Sequence, residues 1–436
     1  MQQTANLKDI CKRRRSELLN KIGSSGVAIL AASKEHFCSV LPYRQSSDLY
    51  YLTYFPEPHS LAVFIPNRKE GEFIIFSEEQ NVEKESWFGP IIGQTNACAI
   101  FGADQAFPIT LTEQIMPQLL ADRSEIYFDI GRDSDFDAKV FGWVNQLRAH
   151  IRSGINAPSK FIDISKILHE MRSRKDSFEI DLMRKSARIS VDAHTRAMKA
   201  CRADIYEYEL AAELLYEFIK QGGTAPAFES IVGSGANTCV LHYNKNNQIL
   251  KNGDLVVVDA GVDYQHYMSD ITRTYPVNGR FTPEQKIIYE IVLEAQVNTI
   301  NKVKPGITWY DLQLNAQRII TEGLISIGIL KGNIDDLLEA KAFKRFYWHN
   351  IGHWLGMDEH DVGEYKPNGN WRILEPGMIT SIEPGLYISA NNTDVDEKWW
   401  NIGVRIEDDV LVTENGCEVL TSGLPKTVTD IENLMK

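Results

Sequence analysis

The chain is short of everything that would direct it to nucleic acid, to a membrane or to an oxidising compartment. Lys and Arg number 46 against 59 Asp and Glu, for a net charge of −13, so neither nucleic acid nor an anionic membrane is expected as a main partner. One basic run, Arg13-Arg14-Arg15, reads as a solvated helix face. No apolar stretch is long enough to span a bilayer, and the start Met1-Gln2-Gln3-Thr4-Ala5-Asn6-Leu7-Lys8 lacks the apolar core of a secretion signal, so a cytoplasmic location is expected. The six cysteines, Cys11, Cys38, Cys98, Cys201, Cys239 and Cys417, have no CxxC spacing; reduced thiols fit better than disulfides or a zinc site. The N-terminal part also lacks a phosphate-binding glycine loop.

What is present is a set of acids in places where acids are rarely found. Asp259 closes Leu255-Val256-Val257-Val258-Asp259-Ala260, a β-branched strand that would ordinarily be wholly buried and uncharged. Asp270 follows in Met268-Ser269-Asp270-Ile271-Thr272, a spacing that leaves room for a hairpin to bring the two carboxylates together. Two such groups repel unless a cation lies between them; taken singly, each also fits a strand end or a turn cap. Glu383 ends a strand bounded on both sides by Pro-Gly, and Glu407 lies in Gly403-Val404-Arg405-Ile406-Glu407-Asp408-Asp409. Strand alternation puts Arg405, Glu407 and Asp409 on one face. Arg405 then either pairs with Glu407 on a solvated edge or fixes the geometry of a ligand.

His349 and His353 share Trp348-His349-Asn350-Ile351-Gly352-His353-Trp354, on a helix face or on a turn beside an apolar cluster. Asn350 stands where the zinc-protease helix pattern requires Glu, so that pattern is excluded. Asp259, Asp270, His353, Glu383 and Glu407 together suit a pair of hard divalent ions and point to a metallohydrolase. One imidazole with four carboxylates favours manganese over a structural zinc, with cobalt as a substitute.

The order strand-Asp, Asp, His-x-x-x-His, Glu-Pro-Gly, Arg-x-Glu resembles the metal site of the pita-bread aminopeptidase family, and within it the bacterial Xaa-Pro aminopeptidases (aminopeptidase P). Further matching blocks are Pro42-Tyr43-Arg44-Gln45-Ser46-Ser47-Asp48, Glu57-Pro58, Trp87-Phe88-Gly89, His169-Glu170-Met171-Arg172, Ile231-Val232-Gly233-Ser234-Gly235 and Leu241-His242-Tyr243. The resemblance implies a two-manganese enzyme that cleaves between an N-terminal residue and a following proline, acting as a homodimer or homotetramer. It implies Asp259, Asp270, His353, Glu383 and Glu407 as ligands, with Glu383 also accepting the proton of the attacking water. It places His242, His349 and His360 around the scissile bond, with Arg405 and Tyr387 at the proline subsite, and it assigns Trp87 to a neighbouring subunit's site. A Trp-Phe pair is otherwise most often core. A prolidase restricted to dipeptides and a non-catalytic binding module remain the alternatives.

Two positions depart from the pattern. Glu359 stands where an apolar residue is expected and should raise the pKa of His360; Phe228 stands where relatives tend to carry tyrosine. The length implies two domains. Residues 1–172 read as an α/β domain, with strands at 26–31, 61–66 and 72–76 and a helix at 111–120, serving assembly and covering the site. Residues 173–436 read as an α+β catalytic domain of pita-bread type that opens with a long helix from Ser173.

Overall fold

The computed structural model describes residues 2–35 and 42–436, so Cys38 lies outside the described residues. The chain divides into two compact units, Met1–Met171 and Arg172–Lys436.

The first unit is a six-stranded mixed sheet with helices against it. Its strands are β1 (Gly26–Ala31), β2 (Leu61–Phe64), β3 (Phe73–Ser77), β4 (Gln105–Pro108), β5 (Glu125–Phe128) and β6 (Lys160–Asp163), in the order β4-β3-β2-β1-β5-β6. Alternate residues Val27, Ile29, Val63, Ile74, Phe76, Ile126 and Phe128 share a core with Met116, Leu120, Val140, Trp143 and Leu147 of the helices Thr112–Leu120 and Ser134–Ala149. Burial on that scale is what holds such a layer together.

Arg14 and Arg15 correct the solvated-face reading, because both are buried. They donate to Tyr51 O and Leu52 O, each at 3.1 Å, the unsatisfied last-turn carbonyls of helix Ser47–Thr53. Their guanidinium groups lie over the rings of Tyr51 and Phe73, so planar stacking and a charge at a helix end replace solvation. Trp87 and Phe88 correct the core alternative in the opposite sense. They end the short helix Val82–Phe88, which buries no residue, and are 78% and 85% exposed.

The second unit packs the helices Ser177–Ala200, Glu207–Lys220, Pro283–Ile300 and Trp309–Ser326 around short antiparallel sheets. Its long helix begins at Ser177 rather than Ser173, since Asp176 and Glu179 form a reciprocal capping box that starts it there. The buried face is also more polar than its apolar spacing implies. Ser186 donates to Val262 O at 3.0 Å, Ser190 bonds Ser269, and Glu179 accepts from Tyr267 Oη.

The strands of this unit are β7 (Ala225–Pro226), β8 (Ile231–Ser234), β9 (Leu255–Ala260), β10 (Val262–Tyr264), β11 (Tyr267–Met268), β12 (Ile271–Pro276), β13 (Ile379–Ile382), β14 (Gly385–Ile388), β15 (Ile402–Arg405), β16 (Asp408–Thr413) and β17 (Gly416–Val419). Strands β10 and β11 close over Gln265 and His266 at φ 53° and 67°, the left-handed turn that suits hairpin twist. Where the ribbon crosses itself, a Cβ on Gly261 would lie 1.7 Å from Ser269 O, so only glycine fits. The two halves of the unit are stitched by Glu407 N–H to Thr272 O at 3.0 Å and by Thr274 Oγ1 to the backbone of Arg405.

Behind that seam Asp408 is fully buried and accepts from Arg273, Lys426, Gln296 and Thr421 at 2.7–2.8 Å. Burial alone would raise its pKa, but Arg273 and Lys426 outweigh that and hold it at about 2 against an ordinary 3.8. A folded-state pKa below the unfolded one stabilises above the unfolded value, and the contribution disappears as pH falls from about 4 to about 2. Acid titration followed by circular dichroism should therefore lose about 2 kcal/mol in that window for this group, and Asp408→Asn should remove that part of the slope. An unchanged slope in the variant would refute the assignment.

Candidate functional site

Each of the acids singled out in the sequence sits at a strand end on the same seam. Asp259 is the penultimate residue of β9, paired with Thr272 on β12; Asp270 directly precedes β12, Glu383 separates β13 from β14, and Glu407 separates β15 from β16. His353 comes from a loop, which decides between the helix face and the turn in favour of the turn. That loop is pressed onto β13: Ser381 N–H donates to His353 O at 2.9 Å, and a Cβ on Gly352 would lie 2.0 Å from Ser381 O.

Asp270, His353 and Glu407 bring one ligating atom each to within 4.8 Å of one another. Nε2 of His353 lies 3.3 Å from Asp270 Oδ2 and 3.9 Å from both Glu383 Oε1 and Glu407 Oε1. Its Nδ1 is 3.0 Å from Trp354 O; a carbonyl only accepts, so Nδ1 carries the proton and Nε2 turns a lone pair toward the carboxylates. Burial, then the neighbouring His360, pushes the His353 pKa down to about 4, which keeps the ring neutral. A lone pair facing carboxylate oxygens is repulsive unless a cation lies between them.

The carboxylates carry the same signature. Oδ1 of Asp259, Oδ1 of Asp270 and Oε1 of Glu407 are buried with no hydrogen-bond partner, which is costly for a charged oxygen. Burial, then the charge of Glu407, raises Asp270 and Glu383 well above the usual carboxylate range, and burial, then the charge of Asp259, raises Glu407 to about 8. Orphaned hard oxygens around a correctly oriented imidazole are a donor set for divalent metal.

Arg405 is buried, and all three of its nitrogen positions are engaged. Nη2 pairs with Asp259 Oδ2 at 2.6 Å, Nη1 donates to Tyr387 Oη at 3.2 Å and Nε donates to Thr272 Oγ1 at 3.2 Å. Thr272 in turn donates to Glu407 Oε2 at 2.7 Å. The arginine thus clamps Asp259 directly and reaches Glu407 only through Thr272, so it orients these carboxylates and does not pair with Glu407 on a solvated edge. Thr272 and Asp409 were missed in the sequence. Both had a signal: Thr272 lies two residues beyond Asp270, Asp409 shares the face of Glu407, and Asp409 Oδ2 accepts the Asp270 amide at 3.1 Å.

The three further histidines gather at the same place but differ in freedom. His349 Nδ1 faces Asn350 O at 2.8 Å, so its Nε2 accepts from Tyr387 Oη at 2.9 Å. Burial, then the charge of Arg405, lowers its pKa to about 3. Both of its ring nitrogens are therefore engaged within the protein. His242 is exposed and His360 has 69% of its side chain open, while the His360 ring lies 4.2 Å from that of His353. The expected upward shift of His360 is not found: burial, then His242, lowers its pKa, and Glu359, whose Oε1 lies 3.6 Å away, is itself raised to about 7 by burial and by Asp259. Cys98, Cys201, Cys239 and Cys417 are free thiols, and burial raises the Cys239 thiol to about 11, which removes a thiolate from consideration.

Comparison with known proteins gives a concordant result. The family model "Metallopeptidase family M24" matches residues 181–414, and "Aminopeptidase P, N-terminal domain" matches residues 11–127. The chain is 40% identical over 428 residues to the Xaa-Pro aminopeptidase of Escherichia coli strain K12, covering 97% of each chain. Among solved structures, the aminopeptidase PepP of Pseudomonas aeruginosa superposes with a TM-score of 0.97 at 47% identity, covering 98% of each chain. A zinc-substituted Escherichia coli aminopeptidase P in complex with product superposes with a TM-score of 0.95 at 39% identity over 98% of each chain.

Proposed function

The chain belongs to metallopeptidase family M24, and we propose that Asp259, Asp270, His353, Glu383 and Glu407 hold two divalent ions, manganese as the native metal, for hydrolysis of the bond between an N-terminal residue and a following proline. The enzyme is an Xaa-Pro aminopeptidase, a metallohydrolase with an aminopeptidase P N-terminal domain and a pita-bread catalytic domain. The observation that carries the metal assignment is the set of buried, partnerless oxygens on Asp259, Asp270 and Glu407 beside the lone pair of His353.

Bound divalent ions acidify water and polarise a carbonyl. The chain's own residues do the rest. Glu383 takes the proton released by the attacking water, and the departing proline nitrogen, which has no hydrogen of its own as an amide, must gain one before it leaves. His242 and His360, with open ring surface, are placed to donate to the peptide carbonyl as charge develops on it. His349, Tyr387 and Arg405 form a cross-bonded wall rather than mobile donors, which suits a rigid pocket for the proline ring. The dipeptide-only alternative is set aside, because the full-length relatives are Xaa-Pro aminopeptidases.

Trp87 and Phe88 support self-association into a homodimer or homotetramer, since a pair of large aromatics this exposed is characteristic of an interaction surface. A cytoplasmic location is in keeping with the free thiols; among the described residues no helix is long and apolar enough to cross a membrane.

The test is chelator-stripped protein reloaded with manganese and offered Ala-Pro, Ala-Pro-Gly and a longer Xaa-Pro peptide. Release of the first residue from the longer substrates only after reloading is expected. Hydrolysis confined to the dipeptide would mean a prolidase, and equal activity without metal would overturn the ligand assignment.

A further inference from the structure

Trp348 is a tryptophan that the mechanism above does not use. It adjoins His349, yet 47% of it is exposed, and it is not loose. Its ring packs against that of Tyr387, with centroids 5.0 Å apart at 45°. Tyr387 is buried and tied to both His349 and Arg405, and His349 in turn meets Tyr347 edge to face at 4.9 Å. Tyr347, His349, Tyr387 and Trp348 therefore form one aromatic wall, with Trp348 as its outer end.

The contacts set the order of groups along that wall. From Glu383, the wall is reached through His349 Nδ1 at 3.7 Å, continues to Tyr387 Oη at 2.9 Å and crosses the Tyr387 ring to the indole. Along that path the indole comes after His349 and Tyr387 and is the exposed member of the wall, so an extended peptide leaving the inner wall for solvent meets it next. The inner wall is taken by the proline ring in the function proposed above, on which this inference rests. We propose that Trp348 is a specificity-determining residue that binds the third residue of the substrate, the one after proline, and favours apolar or aromatic side chains there. An indole anchored on one side by another ring offers a rigid platform for stacking, and aromatic grooves are a recurrent means of docking proline-containing segments. Its contribution falls on binding, because the third residue is remote from the bond being broken.

The experiment measures kcat and KM for Ala-Pro-Gly and Ala-Pro-Phe, with proline and Pro-Phe as product inhibitors, in wild-type manganese-loaded enzyme and in Trp348→Ala and Trp348→Phe. Wild type should have the lower KM for Ala-Pro-Phe. Trp348→Ala should raise that KM roughly five- to tenfold, leave kcat within about twofold, weaken Pro-Phe inhibition by the same factor and leave Ala-Pro-Gly and free proline unaffected. Trp348→Phe should recover most of the loss, and the wild-type preference tests the idea without any variant. Equal losses on both tripeptides, a fall in kcat alone, or a wild type indifferent to the third residue would overturn it. Wild type that cleaves neither tripeptide would refute the functional reading itself, and this inference with it.

Discussion

Asp270→Asn should lose bound metal and at least about 1000-fold in turnover while keeping its fold. The substitution preserves shape, and the backbone amide of residue 270 keeps its bond to Asp409. What disappears is one anionic oxygen of the group within 4.8 Å that includes His353 and Glu407. Removing a like charge from a buried cluster relieves repulsion in the metal-free protein. The variant in chelator should therefore unfold at or above the temperature of chelated wild type, yet gain little when manganese is added. Metal content by plasma mass spectrometry, kcat and melting temperature with and without manganese check the three parts. A variant that bound two ions and kept full turnover would remove Asp270 from the site.

Arg405→Met should cost both activity and stability. Among the described residues the guanidinium alone hydrogen-bonds the Asp259 carboxylate, and it also supports Tyr387 and Thr272. Breaking a buried pair strands the remaining charge, at about 3–5 kcal/mol, measured by denaturant unfolding in chelator. Part of that loss should return on adding manganese, because a cation can compensate Asp259 where the arginine no longer does. Since kcat/KM depends on the orientation of Asp259, and of Glu407 through Thr272, a fall of roughly 100-fold or more is expected. Arg405→Lys should fail to restore it, as an ammonium cannot serve three separated acceptors from one planar fork. A lysine variant with near wild-type kcat/KM would show that charge alone suffices.

The candidate metal-binding acids were legible because a carboxylate at the end of a β-branched run, as at Asp259, contradicts its surroundings, and its company with Asp270, Glu383, Glu407 and His353 has few bland explanations. The α/β layer was legible from strand alternation, with β1 recovered to the residue and β2 and β3 to within two. Other features were not. A run of three arginines carries the same letters whether it faces solvent or, as Arg14 and Arg15 do, caps a buried helix end. The Trp87-Phe88 pair reads as core until the helix beneath it proves to bury nothing. Glu359 next to His360 suggested an upward shift, but burial and His242 act on that ring more strongly than its sequence neighbour does.

The sequence by itself determined which family the pattern belongs to and which groups are proposed for its chemistry, since these depend on residue type and spacing along one chain. Tertiary structure decided which groups speak to which. Arg405 serves Asp259, 146 residues away, and reaches Glu407, two residues away, only through Thr272. The tautomers of His349 and His353 follow from single carbonyls, and the outer place of Trp348 follows from the Tyr387 ring. Hydrogen bonds and lone pairs act over a few ångströms in particular directions, and only the folded chain supplies those.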